Sequence, residues 1–201
     1  MKHLIIRGVE SAQLVSDVQR LTESLGELPE LVAEPVFIAV SGLPGTGKSY
    51  LCSKLAERLP SIILESDALR KALFLSPSYN SQESSRLFGA VRLLIERLLK
   101  KGNSLILDAT NLSERHREYF YSIADRLGVK LVLVRVEAPP WVVHERLKAR
   151  RENLGSKSDA DWAIYQRMKP SVQKIRRNHY AVDTSRDITP VLDKIVREVM
   201  H

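Results

Sequence analysis

The sequence predicts an α/β fold, a parallel sheet with helices on both faces. Strand-like apolar runs alternate with helix-like stretches along the chain. The runs are nearly continuous in apolar side chains, as strands covered on both faces should be. With 201 residues, 44% of them apolar, the chain suffices for one medium domain, or a domain with a small appendage. Nine glycines and nine prolines exclude a collagen-like or disordered composition, and a lone cysteine, Cys52, excludes a disulfide scaffold. A single thiol suits a reducing compartment, so a cytoplasmic location is expected. No run approaches the ~18 apolar residues of a membrane span, and the opening apolar run is too short for a secretory signal.

Residues 1–34 read as a helical extension. Leu14, Val18, Leu21, Leu25 and Leu28 form a helical stripe about two heptads long, which Gly26 and Pro29 interrupt. The stripe would pack on its own domain, or else serve as a dimer contact or dock another chain. From residue 35 to 201 the expected strands are Val36–Val40, Ile62–Leu64, Ser104–Leu107, Lys130–Val136 and the weaker Tyr180–Asp183. Helical patterns lie between them at 48–59, 84–101, 113–127 and 140–152, with a last one at 189–200. Lys101-Gly102-Asn103 and Leu127-Gly128-Val129 each end a helix before a strand, and Pro139-Pro140 opens one.

Chemistry enters directly after the first strand. Gly42-Leu43-Pro44-Gly45-Thr46-Gly47-Lys48-Ser49, followed by Tyr50, is a Walker A phosphate loop in its strand–loop–helix setting. Its glycines let backbone N–H groups converge on phosphate oxygens, and the helix start adds its positive dipole end. Lys48 is expected to reach the β and γ phosphates, and the Ser49 hydroxyl to ligate Mg²⁺. This loop alone means a nucleoside triphosphate, not a particular reaction.

Other residues narrow the reaction. Leu105-Ile106-Leu107-Asp108 has the Walker B form, with Asp108 reaching the metal through water. Ala109 follows it where motor ATPases carry a water-activating Glu, and no Asn-Lys-x-Asp string reads guanine, so a kinase is favoured. A kinase needs a group to deprotonate its acceptor hydroxyl. Asp67 stands just beyond the second strand, where ligand crevices of open α/β sheets form, and Arg70 follows three residues later. They would supply a base and a cation for the acceptor; alternatively, Asp67 caps a helix and Arg70 is solvated. Arg146 and Arg150 share one face of a basic helix that leads into a Gly-, Ser- and Lys-containing loop. That arrangement suits a mobile lid that stabilises charge on the transferring phosphoryl group, or simply a solvated basic helix.

With these clusters in place, residues 36–185 resemble P-loop kinases of the polynucleotide kinase and zeta-toxin type, a group also labelled AAA-family ATPase. The most specific parts are Gly42–Ser49, Ser66-Asp67-Ala68-Leu69-Arg70 and Leu107-Asp108-Ala109-Thr110-Asn111-Leu112. The resemblance implies a three-layer P-loop NTPase fold with a five-stranded parallel sheet ordered 2-3-1-4-5, flanked by helices. It implies that Asp67 is the acceptor-activating base and that Arg70 contacts the acceptor. Thr110 and Asn111 would lie near the acceptor or the γ-phosphate, and Arg146 and Arg150 would belong to a lid at about 141–170. The first 34 residues depart from the family core, and no phosphatase, ligase or nucleic-acid module accompanies it.

The expected activity is transfer of the γ-phosphoryl group of Mg-ATP to a hydroxyl. A net charge of +7 fits a basic phosphate site, or a groove for a polyanion. A small-molecule acceptor is placed ahead of a nucleic-acid 5′-hydroxyl. The reading from another class is a nucleotide-binding interaction protein that switches the N-terminal helix. His116, His144 and His179 have no ligand spacing, and Trp162 and Tyr165 are expected to pack the lid rather than cover adenine.

Overall fold

A computed structural model describes residues 2–152 and 160–200, and the side chains of residues 12–150 and 160–200. The Asn153–Asp159 segment of the expected lid lies outside the described residues, as does the Arg151 side chain. Five strands, β1 (Val36–Ser41), β2 (Ile62–Glu65), β3 (Leu105–Asp108), β4 (Lys130–Glu137) and β5 (Tyr180–Asp183), form one sheet. Every pairing is parallel and the order is β2-β3-β1-β4-β5, as the family resemblance implied.

The helices are α1 (Lys2–Glu23), α2 (Lys48–Ala56), α3 (Ser66–Leu73), α4 (Ser81–Lys100), α5 (Glu114–Leu127), α6 (Pro140–Glu152), α7 (Trp162–Met168) and α8 (Thr189–Met200). Alternation along β1 splits the core between them. Phe37 and Ala39 join a cluster with side chains of α1, α3, α4 and α5. Val36, Ile38 and Val40 join the opposite one with Leu51 and Leu55 of α2 and Leu192 and Ile195 of α8. Cys52 is buried there as a core residue. A third, small cluster joins Val143 and Leu147 of α6 to Tyr165 of α7. Among the described residues no helix is long and apolar enough to cross a membrane.

Helix α1 lies on its own domain. Val18 and Leu21 are fully buried, and Leu14 and Leu25 pack against the same core, whereas Leu28 is exposed. Asp17, with no exposed surface, receives Arg86 Nε and Nη2 of α4 at 2.7 Å each. Arg20 Nη2 adds a bond to the Ala72 carbonyl at the end of α3.

Several boundaries differ from the sequence expectation. β1, β2, β3 and β4 each continue one residue past the apolar run, to Ser41, Glu65, Asp108 and Glu137. Ladder bonds use the backbone and ignore side-chain polarity, so Glu65 still pairs with Asp108, and Glu137 with Asp183. Helix α4 starts at Ser81, not 84, because Asn80 caps it by accepting from Glu83 N at 2.8 Å, while Glu83 reaches back to the N–H groups of Ser78 and Tyr79. Helix α7 lies within the expected lid but no separate helix was expected there. Its signal was Asp161, which caps Ile164 N at 2.9 Å.

Candidate functional site

The carboxyl ends of β1, β2 and β3 open into a cavity of about 1500 Å³ beneath α6 and α7. In an open α/β sheet this edge is where ligands bind. Its floor is the phosphate loop, whose backbone only glycine can follow. Gly45 has φ +78°, and an added Cβ would lie 2.8 Å from Val143 Cγ1. Gly47 has φ +90°, and an added Cβ would lie 2.9 Å from Thr184 Oγ1. Pro44, Gly45, Gly47, Lys48, Ser49 and Tyr50 line the cavity, whereas Gly42, Leu43 and Thr46 form the body of the loop behind it. Thr46 Oγ1 donates to the Leu43 carbonyl at 2.8 Å and Lys48 Nζ to the same oxygen at 3.1 Å. Desolvation pushes the Lys48 pKa down, opposed by the charges of Asp108 and Asp67.

The string after β3 is tied to the start of this loop. Gly42 N and Ser41 Oγ both donate to the Thr110 carbonyl, and Ser41 Oγ also to that of Asn111. Asn111 sits at φ +45°, and its amide donates to the Val40 carbonyl at 2.8 Å. Thr110 and Asn111 line the cavity, but the Asn111 amide is already engaged with the fold. Sequence reasoning missed the brace behind them, the buried Arg117. It pairs with Glu114 and donates to the carbonyls of Asn111, Gln173 and Lys174. Its only sequence signal was a charged residue on the apolar face of α5.

Asp67 and Arg70 face the same cavity from the first turns of α3. The N-cap of α3 is Glu65, not Asp67, so the capping alternative does not hold. Nor is Arg70 solvated: its side chain is 12% exposed, 3.6 Å from Glu83 Oε2 and stacked 4.9 Å over the Tyr79 ring. Arg70 Nη2 donates to Ser84 Oγ at 3.3 Å, while the buried Nη1 has no hydrogen-bond partner. Glu83 in turn is held below the usual carboxylate range by the N–H of Ser78, the Ser78 hydroxyl and the N–H of Tyr79.

Arg146 and Arg150 line the opposite wall, on α6. They differ in what they touch. Arg146 donates to Thr184 Oγ1 and to the Thr184 carbonyl, both at 2.8 Å, and Thr184 Oγ1 donates to the Thr46 carbonyl at 2.6 Å. Arg146 therefore acts as a strut from α6 to the phosphate loop through Thr184, a residue no sequence motif marked. Arg150 lies near enough to Lys48 for its charge to lower the lysine pKa. Trp162 stacks on Tyr165 with centroids 4.8 Å apart, so both aromatics pack the lid helices together.

Asp108 is buried at the end of β3, level with Val40 and Glu65, and lines the cavity with Ser49. Among the described residues no cluster of three His, Cys, Asp or Glu side chains could hold a metal by itself. One hydroxyl and one carboxylate are hard oxygen donors of the kind that hold Mg²⁺ jointly with nucleotide phosphates and water.

Comparison with known proteins gives a family and a fold. The AAA_33 profile, an AAA domain, matches residues 37–175. No curated protein sequence matches the chain. Among solved structures, a gluconokinase from Sinorhizobium meliloti 1021 superposes with a TM-score of 0.56 at 22% identity, covering 82% of this chain and 89% of that one. Kti12 of Chaetomium thermophilum, solved with ADP-AlF3, gives 0.64 at 19% identity, covering 81% and 98%. The Mycobacterium tuberculosis APS kinase CysC, solved with AMPPNP and APS, gives 0.58 at 19% identity, covering 84% and 99%. At these identities the likeness is one of fold, that of the P-loop NTPases.

Proposed function

The chain belongs to the AAA_33 family of AAA domains, and from that premise we propose that it is an ATP-dependent kinase. It transfers the γ-phosphoryl group to a hydroxyl of a small molecule. The observation that carries this reading is one cavity lined by both the phosphate loop and Asp67. A phosphate loop alone would serve any nucleotide hydrolase; a carboxylate lining the same cavity from the first turn of α3, after β2, suits an acceptor.

In this reading the loop amides and Lys48 hold the β and γ phosphates. Ser49 and, through water, Asp108 would hold Mg²⁺, which when bound neutralises charge on those phosphate oxygens. Asp67 takes the acceptor's hydroxyl proton as its oxygen bonds to the γ-phosphorus. The bond from that phosphorus to the β–γ bridging oxygen breaks, and its electron pair leaves on ADP. Arg150 meets charge on the equatorial oxygens, while Arg146, held by Thr184, positions α6. The nucleotide complexes of the Kti12 and APS kinase relatives support nucleotide binding in this fold. The gluconokinase and APS kinase relatives support a small acceptor.

Substitution of the base tests it. With labelled ATP and an acceptor panel, Asp67→Asn should lower transfer by about 10²–10⁴-fold while nucleotide affinity stays within about threefold. Transfer that survives in the Asn variant would remove Asp67 from the mechanism.

A further inference from the structure

Resting on the kinase reading of this cavity, we propose that Arg86 and Asp17 are positioning residues for the acceptor half of the site. Through α1 they clamp α3 to α4 from the side away from the cavity, and so fix Asp67 and Arg70 relative to the phosphate loop.

Helix α3 is too short to hold itself in place. Isolated helices below about 12–15 residues are marginal in water, and α3 has 8 residues. Its position therefore depends on what it packs against. Leu69 and Leu73, one turn apart, are buried in a cluster with Val18 and Leu21 of α1 and Leu87, Ala90 and Val91 of α4. Asp67 and Arg70 of the same short helix line the cavity. Whatever shifts α3 shifts the base.

α3 and α4 are tied on two sides. On the cavity side the ties are long: Arg70 Nη1 lies 3.6 Å from Glu83 Oε2, and Arg70 Nη2 lies 3.3 Å from Ser84 Oγ. Ser84 and Arg86, two residues apart, leave roughly opposite sides of α4. On that other side the ties are short. Arg86 gives the fully buried Asp17 two bonds of 2.7 Å. The same guanidinium lies 5.3 Å from the centre of the Phe74 ring, at the C-cap of α3. From α4, Arg86 thus holds α1 and the end of α3 at once. Arg20, one turn beyond Asp17, adds its 3.0 Å bond to the Ala72 carbonyl. Among the described residues, no hydrogen bond or ion pair from an α1 side chain reaches the phosphate loop, α2 or α6. The clamp acts on the acceptor half alone. A displacement of about 1 Å at a reacting group can cost about 10²-fold in rate.

Arg86→Met keeps the aliphatic stem and removes the clamp. Transfer is followed with labelled Mg-ATP and two acceptor probes, D-gluconate and water, with Asp67→Asn setting the background. Amide hydrogen exchange is read on the same full chains by mass spectrometry. Arg86→Met should lower kcat about 10–100-fold while the KM for ATP stays within twofold. Amides of residues 66–80 should exchange at least tenfold faster, and those of α2 and β1 at wild-type rates. Arg86→Lys, which keeps a charge beside Asp17, should recover part of both losses. Asp17→Asn gives the same reading should Arg86→Met fail to fold. An unchanged kcat would overturn the proposal and leave the kinase reading intact. ATP affinity that falls in step with kcat, or exchange that quickens evenly along the chain, would also overturn it, since either means general loosening. A wild type that transfers to neither probe, with residues 66–80 alone loosened by Arg86→Met, would uphold the clamp and count against the kinase reading.

Discussion

Thr184 joins three elements through one hydroxyl. It accepts from Arg146 of α6 and donates to the Thr46 carbonyl, and its side chain faces Gly47. Thr184→Val keeps the shape and removes both bonds, leaving a guanidinium N–H and a loop carbonyl short of a partner. Losing hydrogen bonds of this kind costs about 1–2 kcal/mol, which predicts a roughly 5–30-fold weaker ATP affinity by calorimetry. Thr184→Ser should bind within about twofold of wild type. Equal affinity in the Val variant would mean that the strut does not reach the loop. Nothing in the sequence marked this residue, because its partners are 38 and 138 positions away.

At the scale of elements, the docking of α1 rests, among the described residues, on its apolar stripe, on the Asp17–Arg86 ion pair and on the Arg20 bond to Ala72. Asp17 is buried, while the Arg86 side chain is 38% exposed, so water screens part of the interaction. Asp17→Asn should therefore cost about 1–2 kcal/mol, read as a lower midpoint in urea. The hydrogen bond from Arg86 holds the Asp17 pKa below the ordinary aspartate value, against its own desolvation. Such a group contributes stability in full above its unfolded pKa and loses it as pH falls through the lowered folded pKa. The gap between wild type and Asp17→Asn should thus be constant above about pH 5 and close in more acid solution. A gap that persists to pH 2 would assign the effect to packing instead. The apolar stripe of α1 was legible in the sequence, but its destination was not. Periodicity states that a face will be buried; which neighbour buries it depends on where α3 and α4 lie.

For the whole molecule, nucleotide binding and folding are linked, because the phosphate loop exists only in the folded chain. Mg-ATP at a hundred times its Kd should add about 2.7 kcal/mol. For a chain of this size that raises Tm by roughly 5–10 °C. Lys48→Met should remove most of the rise in a thermal melt, and a full rise in that variant would place the triphosphate elsewhere. The candidate site is legible in the sequence to the extent that its residues are close in the chain. Gly42–Ser49, Asp67 with Arg70, and Asp108 with Thr110 and Asn111 each stand at a strand end, where local pattern alone marks them.

What the amino-acid order determined by itself was therefore the alternation of strands and helices, the phosphate loop and the acids at the strand ends. Each depends on spacing within a few residues, through backbone geometry and side-chain period. Only the tertiary structure decided that Arg146 is a strut while Arg150 is near Lys48, and that Arg70 is paired with Glu83. Those outcomes depend on contacts between elements distant in the chain, whose energies arise only once the sheet has brought them together.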